Sequence, residues 1–242
     1  MAFRLRLILE KVTKRFGDKT VLAGVDGEFR QGRIYGLLGR NGAGKTTLFN
    51  CLSGELPMDG GRAMLEEDGR ARPLMEEDVG YVHSMPLLPE FLTGYEFVKF
   101  FMDINRDKLS GDERIDDWFD RMRLTREDRH RLIKDYSHGM KNKIQMLLFL
   151  ITKPPVILLD EPLTSFDVVV ALEMKQLLRD MKERHILIFS THILQLASDL
   201  CDELTVLHNG VLSPVSSDLL RSPEFESRLI DMLKDDPHAA NG

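Results

Sequence analysis

A glycine-rich segment with a lysine near its end is the first part of the sequence with clear chemical content. The segment GRNGAGKTT follows the short apolar run GRIYGLLG and precedes a helical pattern, so we expect it to join a strand to a helix. Its small residues let the backbone fold around a phosphate chain, and the helix N-terminus attracts negative charge. Lys45 is predicted to bind the β- and γ-phosphates, and the Thr46 hydroxyl to hold Mg²⁺. The candidate residues for binding a nucleoside triphosphate are Gly39, Arg40, Asn41, Gly42, Ala43, Gly44, Lys45, Thr46 and Thr47.

Two later strand ends carry side chains suited to hydrolysis. Asp160 and Glu161 end the apolar run in VILLDEP, and His192 follows the run in HILIFSTH. Carboxyl ends of strands form the ligand-binding edge of open α/β sheets. We therefore predict that Asp160 holds Mg²⁺ through water, that Glu161 activates the attacking water and that His192 contacts the γ-phosphate. Taken alone, His192 is better explained as a hydrogen-bonded structural histidine.

The elements that position these residues follow from the apolar pattern. FRLRLIL alternates apolar and polar residues, whereas GRIYGLLG, VILLD and HILIFSTH are typical of buried strands in a mostly parallel sheet. LTVLHNGVL contains an Asn-Gly pair between β-type runs, which predicts a hairpin at one sheet edge. The sequence therefore predicts an α/β framework.

Between about residues 90 and 152 the apolar pattern becomes helical. Phe97, Phe100, Phe101 and Ile104 fall at helical spacing, and a second set follows. The second set is Ile115, Trp118, Phe119 and Met122. We predict an inserted helical subdomain with these stripes in its core.

Composition narrows the function classes. The chain has 242 residues, of which 43% are apolar, which suffices for a substantial core. The net charge of -6, with basic and acidic residues mixed, argues against general nucleic-acid binding. Two cysteines are too few for a disulfide framework, and no stretch approaches the roughly 20 apolar residues needed to span a bilayer. The sequence predicts a soluble chain; if the protein works at a membrane, a partner must supply the membrane-spanning part.

The ordered set GRNGAGKTT, YSHGMKNK, VILLDEP, SFD and FSTH resembles the nucleotide-binding subunit of ATP-binding cassette (ABC) transporters over essentially the whole chain. The resemblance implies a P-loop NTPase fold of ABC type, which is α/β with a mostly parallel core sheet, an antiparallel β subdomain and an inserted α-helical subdomain. It places the ATP-binding domain at residues 1–212, with the helical subdomain at about 88–152. Residues 213–242 are then a helical or partly disordered tail.

The resemblance also assigns residues that motif chemistry alone leaves out. YSHGM takes the place of the family's Leu-Ser-Gly-Gly-Gln signature, so Ser137 and Gly139 are expected to contact ATP bound to the opposite subunit. LTSFD would be the D-loop, with Thr164 and Asp167 along the dimer interface. Phe16 matches the aromatic residue that stacks on adenine, although a packing phenylalanine explains it nearly as well.

One position departs clearly from the family pattern. GYVHS ends in Ser84 where the family has a glutamine that reaches magnesium and the attacking water. A serine hydroxyl is shorter and acts there only through an additional water. Slow or differently coupled hydrolysis is therefore expected.

The resemblance implies an ATP-hydrolysing subunit that drives a separate integral membrane partner, with ATP and Mg²⁺ as cofactors. Two cassettes, identical or different, would close face to face at the cytoplasmic side of the cell membrane, and export is the favoured direction. The alternatives are a soluble ABC ATPase that does not transport and an ATP-sensing module with weak turnover. No nucleic-acid partner is expected.

Overall fold

The computed structural model describes residues 5–109, 113–162, 168–216, 219, 222 and 225–233. The strands are, in chain order, β1 (Leu5–Phe16), β2 (Lys19–Arg30), β3 (Ile34–Leu38), β4 (Gly60–Glu67), β5 (Arg70–Pro73), β6 (Val79–Val82), β7 (Val156–Asp160), β8 (Ile186–Thr191), β9 (Glu203–His208) and β10 (Val211–Val215). The α-helices are α1 (Lys45–Leu52), α2 (Gly94–Ile104), α3 (Ile115–Arg121), α4 (Arg126–Arg129), α5 (His138–Thr152), α6 (Val168–Met181), α7 (Leu194–Leu200) and α8 (Phe225–Leu233).

The strands form two sheets. One is antiparallel with the order β2-β1-β4-β5, and the other has the order β10-β9-β3-β8-β7-β6. In the second sheet β9, β3, β8, β7 and β6 run parallel, and only the hairpin strand β10 is antiparallel. Every residue of β3, β7 and β8 is buried. The predicted fold class, the three buried strands and the hairpin at the sheet edge are confirmed.

Parallel pairing brings four chain segments to one edge of the central sheet. The carboxyl ends of β3, β6, β7 and β8 all point the same way, because these strands are parallel. Helix α1 follows β3 directly and buries Leu48 and Phe49 in the core between the two sheets. This packing fixes the start of α1 at the edge where the chemical residues gather.

The helical subdomain comprises α2 to α5. Its second apolar stripe lies in the core as predicted, since Trp118, Phe119 and Met122 are buried together. Thr93 caps the start of α2 with a capping box, in which its hydroxyl accepts from the Glu96 N–H at 3.2 Å. The cap sets where the helix begins, but not which side faces inward.

The first stripe is only partly in the core. Phe97 and Phe101 pack against buried residues, but Phe100 is 58% exposed and Ile104 is 60% exposed. Successive residues turn by about 100° around a helix, so Phe100 lies about 160° from the fully buried Val98. The buried side is centred near Val98 and Phe101, whereas Ile104, which lies about 20° from Phe97 around the axis, is exposed as the last residue of α2. The prediction of a core position is therefore wrong for Phe100 and Ile104.

The predicted boundary after residue 212 falls inside β10, which runs from Val211 to Val215. Helix α8 follows and buries Phe225 and Leu229 in a third apolar cluster with residues of β9 and α7. No helix in the described part of the chain combines the length and apolar character needed to cross a bilayer.

Buried His185, which precedes β8, makes the stability of the fold depend on pH. Its Nδ1 lies 2.6 Å from the Pro154 carbonyl oxygen, so Nδ1 donates a hydrogen. Burial lowers the pKa of His185 below its ordinary 6.5, more than this hydrogen bond raises it. The folded protein then binds fewer protons than the unfolded chain as the pH falls through 6.5, so acidification destabilises the fold.

We expect the free energy of unfolding of the wild type to fall between about pH 7 and pH 5, by up to roughly 1.4 kcal/mol per pH unit from this one group. His185→Asn keeps an amide donor for the Pro154 carbonyl and does not titrate, so its curve should be flatter. Urea unfolding at several pH values measures both slopes. Parallel curves for the two proteins would contradict the assignment.

Candidate functional site

Lys45 begins α1 and is buried at the edge of the central sheet. Its Nζ donates to the Gly39 carbonyl at 2.8 Å and lies 3.4 Å from the Arg40 carbonyl and 4.0 Å from Glu161 Oε1. Burial lowers the pKa of Lys45, although Glu161 and Asp160 act in the opposite direction. A partly desolvated ammonium group at a helix start is suited to bind a phosphate chain.

The glycine-rich segment has a backbone that demands glycine. Gly44 has φ of 104°, in the left-handed region, and a Cβ there would lie 2.9 Å from a methyl group of Val21. The segment closes on itself through a hydrogen bond from the Ala43 N–H to the Arg40 carbonyl at 3.0 Å. The predicted residues 39–47 therefore form a turn around the Lys45 ammonium group.

Thr46 and Asp160 are 114 residues apart in sequence and in direct contact. The Thr46 hydroxyl donates to Asp160 Oδ2 at 2.7 Å. Hydroxyl and carboxylate oxygens are the ligands that Mg²⁺ prefers, so the donor set fits the predicted ion. The structure brings together the two residues predicted to hold it.

Glu161 and His192 also meet. His192 Nδ1 lies 3.0 Å from Glu161 Oε1, so the imidazole N–H donates to the carboxylate. Glu161 has φ of 50°, a left-handed backbone that is uncommon outside glycine, and this turns it sharply away from the line of β7. The pair lies beside Lys45, whose Nζ is 4.0 Å from Glu161 Oε1.

Ser190 also belongs to the site, although no motif in the sequence identifies it. Its hydroxyl donates to Asp160 Oδ1 and accepts from the Glu161 N–H at 3.0 Å, so one buried side chain orients both acidic residues. It lies on β8, beside Asp160 on β7. The only sequence signal was its place two residues before His192 in FSTH.

We expect Ser190→Ala to lower kcat by roughly tenfold to a hundredfold and to leave the KM for ATP within about threefold. The reason is that Glu161 and Asp160 lose a common support, whereas Lys45 keeps its position. Loss of the hydrogen bond to buried Asp160 should also lower the free energy of unfolding by about 1–3 kcal/mol. Steady-state ATPase assays and urea unfolding measure the two effects, and Ser190→Thr, which keeps the hydroxyl, is the control. Unchanged kcat in Ser190→Ala would contradict the role.

Lys45, Thr46, Asp160 and Glu161 line an open cleft of about 430 Å³, whereas Ser190 and His192 are not among its lining residues. Phe16, which is 48% exposed, lies on its wall, and Lys14 Nζ lies 5.7 Å from the centroid of its ring. Ser84 lies on the wall as well. Lys19 and Val21 also line the cleft, although no sequence motif predicted them. The lining residues are Phe16, Lys19, Val21, Asn41, Gly42, Gly44, Lys45, Thr46, Thr47, Ser84, Asp160 and Glu161.

The signature residues do not line this cleft. Ser137 is exposed and caps α5, since its Oγ accepts from the Met140 N–H at 3.2 Å, and Gly139 is buried in the first turn of that helix. Thr164 and Asp167 of the predicted D-loop lie outside the described residues. Among the predicted nucleotide-binding residues, Ser137 and Gly139 thus form a separate group.

Comparison with known proteins agrees with the fold. The family model described as ABC transporter matches residues 22–164. The uncharacterized ABC transporter ATP-binding protein YdbJ of Bacillus subtilis is 31% identical over 209 residues, which cover 84% of this chain and 67% of the relative. A sulfate/thiosulfate import ATP-binding protein, CysA of Xylella fastidiosa, is 31% identical over 219 residues, which cover 86% of this chain and 62% of the relative.

Solved structures share the fold. An ATP-binding subunit of an ABC transporter superposes with a TM-score of 0.78 at 22% identity, covering 94% of this chain and 99% of that one. The ATP-binding cassette MJ0796, bound to ADP and Pi, superposes with a TM-score of 0.71 at 19% identity, covering 87% and 99%. The family match spans more than half of the chain and includes Lys45, Thr46, Asp160 and Glu161 of the cleft. The chain therefore belongs to the ABC transporter family, as an ATP-binding subunit that hydrolyses ATP.

Proposed function

We propose that this ATPase works as a pair of cassettes that close face to face around two ATP molecules. The observation that carries the proposal is the separation of the site into two groups. Lys45, Thr46 and Glu161 line the cleft, whereas Ser137 and Gly139 lie outside it at the start of α5. A second cassette, identical or different, that presents its own α5 would complete each cleft.

Within a closed site each residue has a defined task. Lys45 binds the phosphate chain, and Phe16 stacks on the adenine. Thr46 and Asp160 hold Mg²⁺, which when bound neutralises charge on the phosphate oxygens. Glu161 accepts a proton from the attacking water, and His192 fixes the orientation of Glu161 through their hydrogen bond of 3.0 Å.

The partner that this motor drives is proposed to be an integral membrane subunit. Large apolar side chains stand exposed in the loop after Ser84 and on α2, within and beside the helical subdomain. Soluble proteins seldom leave such a set uncovered without a partner. The exposed residues are Met85 (77%), Leu87 (75%), Phe91 (80%), Phe100 (58%) and Ile104 (60%).

This docking places the chain on the cytoplasmic face of the membrane, where ATP is available. One structural neighbour is part of the ABC transporter complex cbiONQ. Export remains the proposed direction of transport. Import is the alternative, because sulfate/thiosulfate import proteins are among the relatives.

Affinity purification from membranes tests the proposal. The tagged wild-type chain should bring along an integral membrane protein, and Phe91→Asp with Phe100→Asp should lose it while keeping the folded cassette. Reconstitution of the cassette together with that membrane protein into vesicles should raise ATP hydrolysis several-fold over the cassette alone. A soluble partner, or hydrolysis that the membrane protein does not change, would contradict it.

Direction is tested in the same vesicles with a hydrophobic cationic dye as the probe. Cassettes that face outward see added ATP, so export moves the dye into the lumen. ATP-driven loss of dye from preloaded vesicles would favour import.

Ser84 supplies a test of coupling. Because its side chain is too short for the role of the family glutamine, basal hydrolysis should be slow, and Ser84→Gln should raise it by about tenfold without the membrane partner. A wild type as fast as Ser84→Gln would show that Ser84 does not limit the rate.

A further inference from the structure

Two departures from the family pattern are in contact with each other. The resemblance expects glycine at position 138 and glutamine at position 84, and the chain has His138 and Ser84 instead. His138 Nε2 lies 3.0 Å from the Ser84 carbonyl oxygen, across 54 positions of sequence. Glycine has no side chain to make this contact, so the link exists only because of the substitution.

The partners of the imidazole fix its hydrogens. The Ser84 carbonyl can only accept, so Nε2 carries a hydrogen and donates it. Nδ1 lies 3.5 Å from Asn142 Nδ2, one helical turn further along α5, and accepts from it. Asn142 is 1% exposed and cannot move freely, so it steadies the ring in its orientation toward Ser84.

Residues 83–92, here called the Ser84 loop, connect β6 to α2. Two adjacent residues of this loop bind different parts of the fold, one near α1 and one at the start of α5. On one side, His83 Nε2 lies 2.9 Å from Glu55 Oε1, beyond the end of α1. On the other side, His138 binds the Ser84 carbonyl at the start of α5. Ser84 thus stands where the nucleotide cleft of this chain meets the helix that carries Ser137 and Gly139.

We propose that His138 is a positioning residue that couples the two nucleotide sites of the closed pair. The inference rests on the proposed closure of two cassettes. When Ser137 and Gly139 engage ATP held by the second cassette, His138 transmits the position of α5 to the Ser84 loop. The loop then adopts its hydrolysis-competent position in the cleft of the same chain, so ATP on one cassette prepares hydrolysis on the other.

The test compares His138→Ala with His138→Gln in the full-length chain. Glutamine keeps an N–H donor at a reach similar to that of Nε2, whereas alanine removes the donor. ATP binding to the isolated chain should stay within about twofold in both variants, because His138 does not line the cleft. Amide hydrogen exchange in residues 84–92 should accelerate roughly three- to tenfold in His138→Ala and return toward the wild-type rate in His138→Gln.

Steady-state hydrolysis supplies the readout that a merely structural role would not change. For the wild type, the Hill coefficient for ATP should exceed one. His138→Ala should bring it to one and lower kcat by roughly fivefold, and His138→Gln should restore both. A wild-type Hill coefficient of one, or a coefficient unchanged by His138→Ala, would overturn the coupling.

Two other outcomes are informative. If both variants lose activity while exchange in the loop stays at the wild-type rate, the imidazole acts on the nucleotide of the second cassette and the proposal is overturned. The Glu161→Gln protein, with ATP, separates this failure from failure of closure itself. If it remains monomeric, a face-to-face pair of two copies of this chain is wrong; if it dimerises and His138→Ala still has no effect, only the coupling is wrong.

Discussion

Glu161→Gln is expected to lower the steady-state rate of ATP hydrolysis by about 10²- to 10⁴-fold, the usual contribution of a general base. The amide cannot accept the proton of the attacking water, but it keeps the size of the side chain and a hydrogen-bonding group for His192. Nucleotide affinity should therefore change little, because Lys45, Thr46 and Asp160 are untouched. With hydrolysis blocked, the proposed pair should accumulate in the ATP-bound closed form.

Phosphate release under saturating ATP measures the rate, and size-exclusion chromatography with and without ATP measures the pair. Glu127→Gln is the matched control, since Glu127 is an exposed carboxylate on α4 outside the cleft. It should leave both measurements unchanged. A rate within tenfold of wild type in Glu161→Gln would assign the base to another group.

Lys45→Met is expected to have the second largest effect of the substitutions considered, and this effect is on ATP affinity. Removing a buried cation that faces the phosphate chain is expected to cost about 3 kcal/mol, or roughly a hundredfold in ATP affinity. Lys19→Met is the matched control: Lys19 lines the same cleft but is exposed, so its replacement should change affinity by less than about fivefold. Fluorescence titration with a labelled ATP analogue compares the three proteins.

The same substitution should act in the opposite direction on stability. Burial lowers the pKa of Lys45, so its charged form is less favourable in the folded protein than in water. Lys45→Met removes this cost, and without nucleotide its Tm should equal or exceed that of the wild type. A large fall in Tm would mean that weak binding reflects unfolding and not the lost cation.

The sequence predicted the parts of the site that lie in contiguous motifs. The apolar runs predicted that β3, β7 and β8 are buried. The predicted site residues lie at or just after the carboxyl ends of these strands, and parallel pairing brings those ends to one edge of the sheet. They are residues 39–47, 160–161 and 192. Ser190 escaped prediction because serine on a buried strand has many uses, and its contact with Asp160 depends on the register between β7 and β8. Local pattern carries no information on that register.

The misplaced residues share a different cause. Periodicity predicted α2 correctly, but it does not show which parts of the helix neighbouring elements cover, and they leave Phe100 and Ile104 exposed. The contact of His138 with the Ser84 carbonyl is similarly invisible in sequence, because it joins the start of one helix to a loop in another part of the fold. Composition and spacing predict single helices and strands. The exposure of Phe100 and Ile104 and the contact of His138 with Ser84 depend instead on how two elements pack together.

The cap of α5 has one more consequence for closure of the pair. Ser137 holds the helix start with a lone pair of its oxygen, which accepts from the Met140 N–H. A hydroxyl also has a hydrogen to donate, and the cap does not use it. The same oxygen atom can therefore keep its own helix wound while its hydrogen turns to a phosphate of the second cassette. Reopening then leaves α5 intact, so the proposed cycle can repeat without any refolding at the surface where the two cassettes meet.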